Sequence, residues 1–146
     1  MGERGHPPRH ADPATEQLLA RAVRNGIDKA FIEGAAGFWK RGKRRKTVTP
    51  TQVRNVFGAV KKMELTGTYN AAQLLLLRPR LRWALARAKD DDDHSFETFV
   101  LMLENAINEV VEGTAEEQQE KFNRFCQGFE AVLAYHKDTR GESNGR

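Results

Sequence analysis

The sequence predicts an all-α fold, a single-domain bundle of about five to six helices. Three observations predict it. Apolar residues recur at spacings of three and four through most of residues 14–137, which puts them on one stripe of a 3.6-residue helix. No segment alternates apolar and polar residues for long enough to suggest a strand. Helix-start signals recur along the chain: a hydroxyl residue, then Gln or Glu three positions later. At 146 residues, 39% of them hydrophobic, the chain suits one modest core.

Residues 1–13, MGERGHPPRHADP, are polar and rich in Pro, Gly and Arg, and are expected to be a disordered tail. They hold no apolar stretch, so no secretory signal is expected there. With no apolar run near the roughly 20 residues that span a bilayer, the expected location is cytoplasmic, with no membrane partner. Leu18, Leu19, Ala22 and Val23 form the first stripe, and Ile27, Ala30, Phe31, Ala35 and Phe38 a second. Asn25-Gly26 between them predicts a break, hence two helices rather than one bent at Gly26.

Lys40 to Lys46, KRGKRRK, carries six basic residues in seven and has no acidic residue nearby in sequence. It reads as an exposed basic loop, a common nucleic-acid signature. The next helix opens at Thr49, with Pro50 in the first turn and Gln52 three residues on, a capping box. Val53, Val56, Phe57 and Val60 are its buried stripe; Arg54 and Lys61 share a flank, with Gly58 leaving room beside them. Thr66-Gly67-Thr68 breaks the chain.

Asn70 to Leu77 continues as helix, and Pro79 is expected to start another. Leu74 to Leu77 is apolar on every side, which implies burial between helices or in a subunit contact. In the following helix Leu81, Ala84, Leu85 and Ala88 face inward, and Arg80, Trp83 and Arg87 lie on the flank. Trp83 is placed either to stack on a base or to pack at the core edge.

Asp90 to Asp93 forms a loop whose charge favours the helix that follows. Adjacent carboxylates in a loop rarely converge on one ion, so no metal site is expected. Ser95 is the expected N-cap of a helix striped by Phe96, Phe99, Val100, Leu103, Ile107, Val110 and Val111. Gly113 ends it. Thr114 and Glu117 make a second capping box, opening a helix striped by Phe122, Phe125, Phe129, Val132 and Leu133. Cys126, the only cysteine, falls within that stripe and is expected to be buried and unreactive. Residues 138–146 are expected to be a flexible tail.

The net charge of +4 is unevenly distributed: residues 1–89 carry 19 Lys/Arg against 6 Asp/Glu, and residues 90–146 carry 5 against 14. So basic a half attracts phosphate, unless the two halves neutralise each other within one fold or between stacked copies. P-loop, dinucleotide-binding, zinc and nucleophile-elbow patterns are absent, and His94 and His136 are isolated. His136 is expected on a last helical turn, where its charge suits the C-terminus. The pattern indicates a binding protein, not an enzyme, and implies no cofactor. Arginine-rich flanks without Asn or Gln partners point to the phosphate backbone rather than to base edges.

Three stretches carry a resemblance. Val48, Thr49, Thr51, Gln52, Val53, Arg54 and Phe57 form one motif; Arg78, Pro79, Arg80, Leu81, Trp83, Ala84 and Arg87 form a second; the helical run Phe96–Gly113 follows. In this order they resemble the small subunit of the type III-A CRISPR interference complex, the Csm complex. The resemblance implies a non-catalytic helical bundle, stacked in several copies along guide RNA and the target RNA paired to it. It also implies partners within the complex: its backbone subunits, which cut target RNA, and its large polymerase-like subunit. RNA contact carries over to Arg54 and Arg87. Arg44, Arg45, Lys46, Lys61, Arg78 and Arg80 are RNA candidates from charge and spacing alone. The alternative is a structural adaptor binding protein through its apolar stripes.

Overall fold

The computed structural model describes residues 13–41, 44–88, 91 and 93–144, with only the backbone at 45, 46 and 137–144. The helices are α1 (Pro13–Glu16), α2 (Leu18–Asn25), α3 (Lys29–Phe38), α4 (Arg44–Thr47), α5 (Pro50–Thr66), α6 (Ala71–Leu75), α7 (Leu77–Arg87), α8 (Ser95–Val110) and α9 (Ala115–Asn144). Among the described residues there is no strand. Six of these helices, α2, α3, α5, α7, α8 and α9, have eight or more residues; the others are single turns. The bundle and its helix number agree with the pattern read from the sequence.

The centre of the bundle is α8. Its predicted stripe is buried from Phe96 to Val110, with Val111 half-buried just past its end, and Thr98, Met102, Glu104 and Ala106 are buried around it. Helices α1, α2, α7 and α9 pack on α8, and α9 in turn carries α2, α3 and α5. Phe38, Trp39, Phe99, Phe125 and Phe129 form the aromatic middle of the core, with ring centroids 4.6–6.4 Å apart. Helix α5 leans on α9 and α7 leans on α8, but α5 and α7 hardly touch each other. A groove is left between them.

Local chemistry sets the boundaries. Gly26, at φ 100°, separates α2 from α3, and Asp28 caps α3 by accepting from Phe31 N at 2.8 Å. The break therefore makes two helices, as the sequence predicts. The Thr49 box is complete: Thr49 Oγ1 accepts from Gln52 N at 3.3 Å, and Gln52 Oε1 accepts from Thr49 N at 2.8 Å. The Thr114 box is equally complete, at 2.8 and 3.1 Å.

Three expectations are corrected. The break between α6 and α7 falls at Leu76, and Pro79 sits in the first turn of α7, where its missing N–H costs nothing. Ser95 is the first residue of α8, not its cap. His94 occupies the cap position at φ 58°, and Asp91 reaches forward to do the capping, accepting from Phe96 N at 2.7 Å and from Glu97 N at 3.2 Å. His136 is not at a helix end but fully buried. Its Nε2 donates to Val48 O at 2.8 Å, and its ring stands edge-on to Trp39 at 4.4 Å. The backbone of α9 is helical to Asn144, into the segment 138–146 read from the sequence as a tail. No proline interrupts it, and each further residue of a formed helix adds a hydrogen bond. Of the predicted tail 1–13, only Pro13 is described, and it opens α1; the rest lies outside the described residues.

The leucine run divides by helical angle. Leu74 and Leu77 are buried, Leu75 is half-buried, and Leu76 is 59% exposed. Among the described residues no helix is long and apolar enough to cross a membrane.

Candidate nucleic-acid interface

The arginines of α7 divide by flank. Arg78 and Arg82 point towards α8. Arg78 donates to Asn108 Oδ1 at 3.1 Å, and Arg82 grips Glu104 with two bonds of 2.8 and 2.7 Å. Arg80, Trp83 and Arg87 lie on the opposite flank, spaced three and four apart, and all are exposed. Arg80 makes no ion pair or hydrogen bond among the described residues, and Arg87 spreads its guanidinium over the Trp83 indole at 4.5 Å. Trp83 is 65% exposed, which rules out the core-edge packing that was one of its two expected places.

This flank forms one wall of the groove left between α7 and α5. The groove holds two adjoining cavities of about 410 and 560 Å³, which share Leu77 and Arg80. Gln52, Asn55 and Val56 of α5 face α7 across the first, and Lys62 and Thr66 line the second. Residues 52, 55, 59, 62 and 66 recur at three and four, so this flank of α5 was readable from its periodicity. The basic pair Arg54 and Lys61 lies on another flank of α5, so charge spacing does not mark this one.

Arg54 and Lys61 stand on the outward shoulder of α5, away from the groove and towards α9. Arg54 is exposed and has no ionic partner among the described residues. Lys61 pairs with Glu64 at 3.2 Å, and that bond together with the Glu64 charge raises its pKa. Gly58 lies between them on the exposed face, where a Cβ would meet nothing within 4 Å. The two basic flanks therefore form neighbouring ridges, one on the shoulder of α5 and one on α7, not a single line of charge.

The segment predicted as an exposed basic loop turns helical at Arg44, where α4 begins, and the Arg44 side chain points inward. Arg44 is buried, 7% exposed; it donates to Phe38 O at 3.1 Å and lies 4.5 Å above the Phe38 ring. Its guanidinium closes the α3–α4 corner, so Arg44 leaves the set of surface candidates. The side chains of Arg45 and Lys46 lie outside the described residues. The charge halves meet at a few points, where Arg24 pairs with Glu109 and Arg82 with Glu104, at 3.2 and 2.7 Å. Arg54, Arg80 and Arg87 take no part in such pairing.

The family model for Csm2 of type III-A matches residues 29–142, from α3 almost to the end of α9. The chain belongs to the Csm2 type III-A family. It is thus a small subunit of the type III-A Csm complex, as the motifs at 48–57 and 78–87 indicate, and the match covers both. Neither the search among curated proteins nor the search among solved structures gave a significant match.

Among the described residues, no three His, Cys, Asp or Glu side chains converge as ligands would. Asp91 and Asp93 of the acidic run spend their oxygens on α8, Asp93 accepting from Ser95 N at 3.2 Å and from Ser95 Oγ at 2.8 Å. Cys126 is buried beneath α5. Burial first, and the Glu64 charge second, push its thiol pKa from 9.0 to about 12.

Proposed function

We propose that this Csm2-family chain acts without catalysis as an RNA-backbone clamp, several copies stacking along the guide RNA–target RNA duplex within a cytoplasmic complex. The ridges of α5 and α7 lie along the ribose-phosphate chain, with Arg54, Arg80 and Arg87 as the principal contacts. Lys61 on the α5 shoulder and Arg78 on the α8-facing flank of α7 add positive charge, as do Arg45 and Lys46 by their place in the basic sequence. The partners are guide and target RNA, the backbone subunits, the large polymerase-like subunit and further copies of the chain. The observation that carries this reading is the exposed Arg80–Trp83–Arg87 flank, whose cations no carboxylate neutralises among the described residues. Unpaired guanidiniums are donors that fit phosphate oxygens in pairs.

The test is a salt titration of RNA affinity with wild type and with Arg80→Ala/Arg87→Ala. Each lost phosphate contact on single-stranded RNA flattens the plot of log affinity against log salt by about 0.7. Two lost contacts flatten it by about 1.4, so the gap to wild type narrows about sevenfold between 50 and 200 mM salt. An unchanged slope refutes the placement of phosphate on this flank.

A structural adaptor is the second reading, favoured by Leu65 and Leu76, which stand 75% and 59% exposed. Under it, nuclease treatment leaves the mass of the purified assembly, less its RNA, unchanged, and the double variant binds RNA as wild type does.

A further inference from the structure

We propose that the groove between α5 and α7 receives a single unpaired nucleobase; this rests on the RNA-backbone reading above and adds a base-binding site to it. The first cavity, about 410 Å³, lies in the range of small-ligand sites. Val56, Leu81, Ala84 and Phe96 give it apolar walls, and Arg80 and Trp83 stand on its α7 side. An apolar slot beside a guanidinium suits a flat ring attached to a phosphate.

The polar groups of the slot favour a base over an apolar plug from another protein. Gln52 is oriented by its capping role: its Oε1 accepts from Thr49 N at 2.8 Å and from Thr49 Oγ1 at 3.1 Å. This fixes which end of the amide is oxygen, and leaves both Nε2 protons as donors without a partner among the described residues. The Asn55 amide beside it is likewise unbonded among the described residues. An apolar plug would strand these groups away from water. A base supplies what they lack, because every base carries ring-nitrogen or carbonyl acceptors on its edges. The Gln52 donors, beside an Asn55 amide that can present either its oxygen or its NH2 group, match an edge of any base, so the site takes any nucleotide. Arg87 covers one face of Trp83, which leaves the other open for stacking.

The test compares the full-length chain binding two single-stranded RNAs of equal length, one intact and one with abasic riboses throughout. Phosphate contact alone gives equal affinities. Base insertion gives the intact strand an advantage of about tenfold, the low end of what one stacked base contributes. Ala84→Phe fills the slot and keeps Arg80 and Arg87; it brings the ratio to about one. Gln52→Glu keeps the capping acceptor and replaces the free donors by oxygen. It weakens both strands through its charge, but the intact strand more, so the ratio falls again. A wild-type ratio of one with a persisting salt slope overturns base insertion and leaves the backbone reading standing. A high ratio that neither variant lowers places the base elsewhere and overturns the groove. Loss of self-association in Ala84→Phe by sedimentation, with a wild-type ratio of one, assigns the slot to a protein side chain instead. No salt-dependent binding of either strand rejects both proposals.

Discussion

Removing Arg82 is expected to destabilise the fold while leaving RNA affinity untouched, the reverse of removing Arg80 and Arg87 from the same helix. Glu104 lies inside the bundle on α8, its side chain 7% exposed, and both its oxygens accept from the Arg82 guanidinium at 2.7 and 2.8 Å. Arg82→Ala leaves that carboxylate without its cation. For a fully buried pair this costs about 3–5 kcal/mol. The Arg82 side chain is 52% exposed, so water reaches its end of the pair and takes over part of the solvation. The discounted cost is about 2 kcal/mol. At this chain length 1 kcal/mol moves Tm by about 3 °C, so Tm falls by about 6 °C. Thermal unfolding followed by circular dichroism at 222 nm measures it. Replacing both partners by apolar residues, Arg82→Met/Glu104→Leu, recovers most of the loss, because no charge is stranded. If Arg82→Ala leaves Tm within a degree, or if the single and double variants are simply additive, the pair is only a surface contact and the division of α7 into a structural and a free flank fails.

Thr49→Ala removes the N-cap of α5 and should cost about 1 kcal/mol in urea unfolding; an unchanged midpoint would mean that the first turn is held by packing alone. His136→Leu strands the Val48 carbonyl and loses the edge contact with Trp39, for an expected loss of about 2 kcal/mol. Cys126 should resist thiol reagents at pH 8 in the native protein and react only as fast as the chain unfolds. Its folded pKa, about 12, lies above the ordinary 9.0, so the neutral thiol is what the fold favours. The associated stability is complete below pH 9.0 and is lost as pH rises towards about 12. A Cys126→Ala variant whose alkaline stability profile matches wild type would contradict this.

The sequence alone determined the longer helices, and the stripe of each was legible because a helix repeats every 3.6 residues, whatever it packs against; the single turn α4 was not. The capping boxes at Thr49 and Thr114 were legible for a similar reason: their bonds close within four residues. The motif pair at 48–57 and 78–87 also carried the family. Tertiary structure decided which cations stay free. Arg44, Arg78, Arg80 and Arg82 look alike in a list, but α3 takes the first, α8 the second and fourth, and only Arg80 faces the groove. The groove itself could not be read from any one stripe, because it exists where α5 and α7 rest on different helices and leave a space between them. Asp91 capping α8 and His136 bridging to Val48 are of the same kind, since chain direction through a loop and partners 88 residues apart are settled by packing. Local bonds are written in adjacent residues. The side of a helix that remains open to a ligand depends on where its neighbours stop.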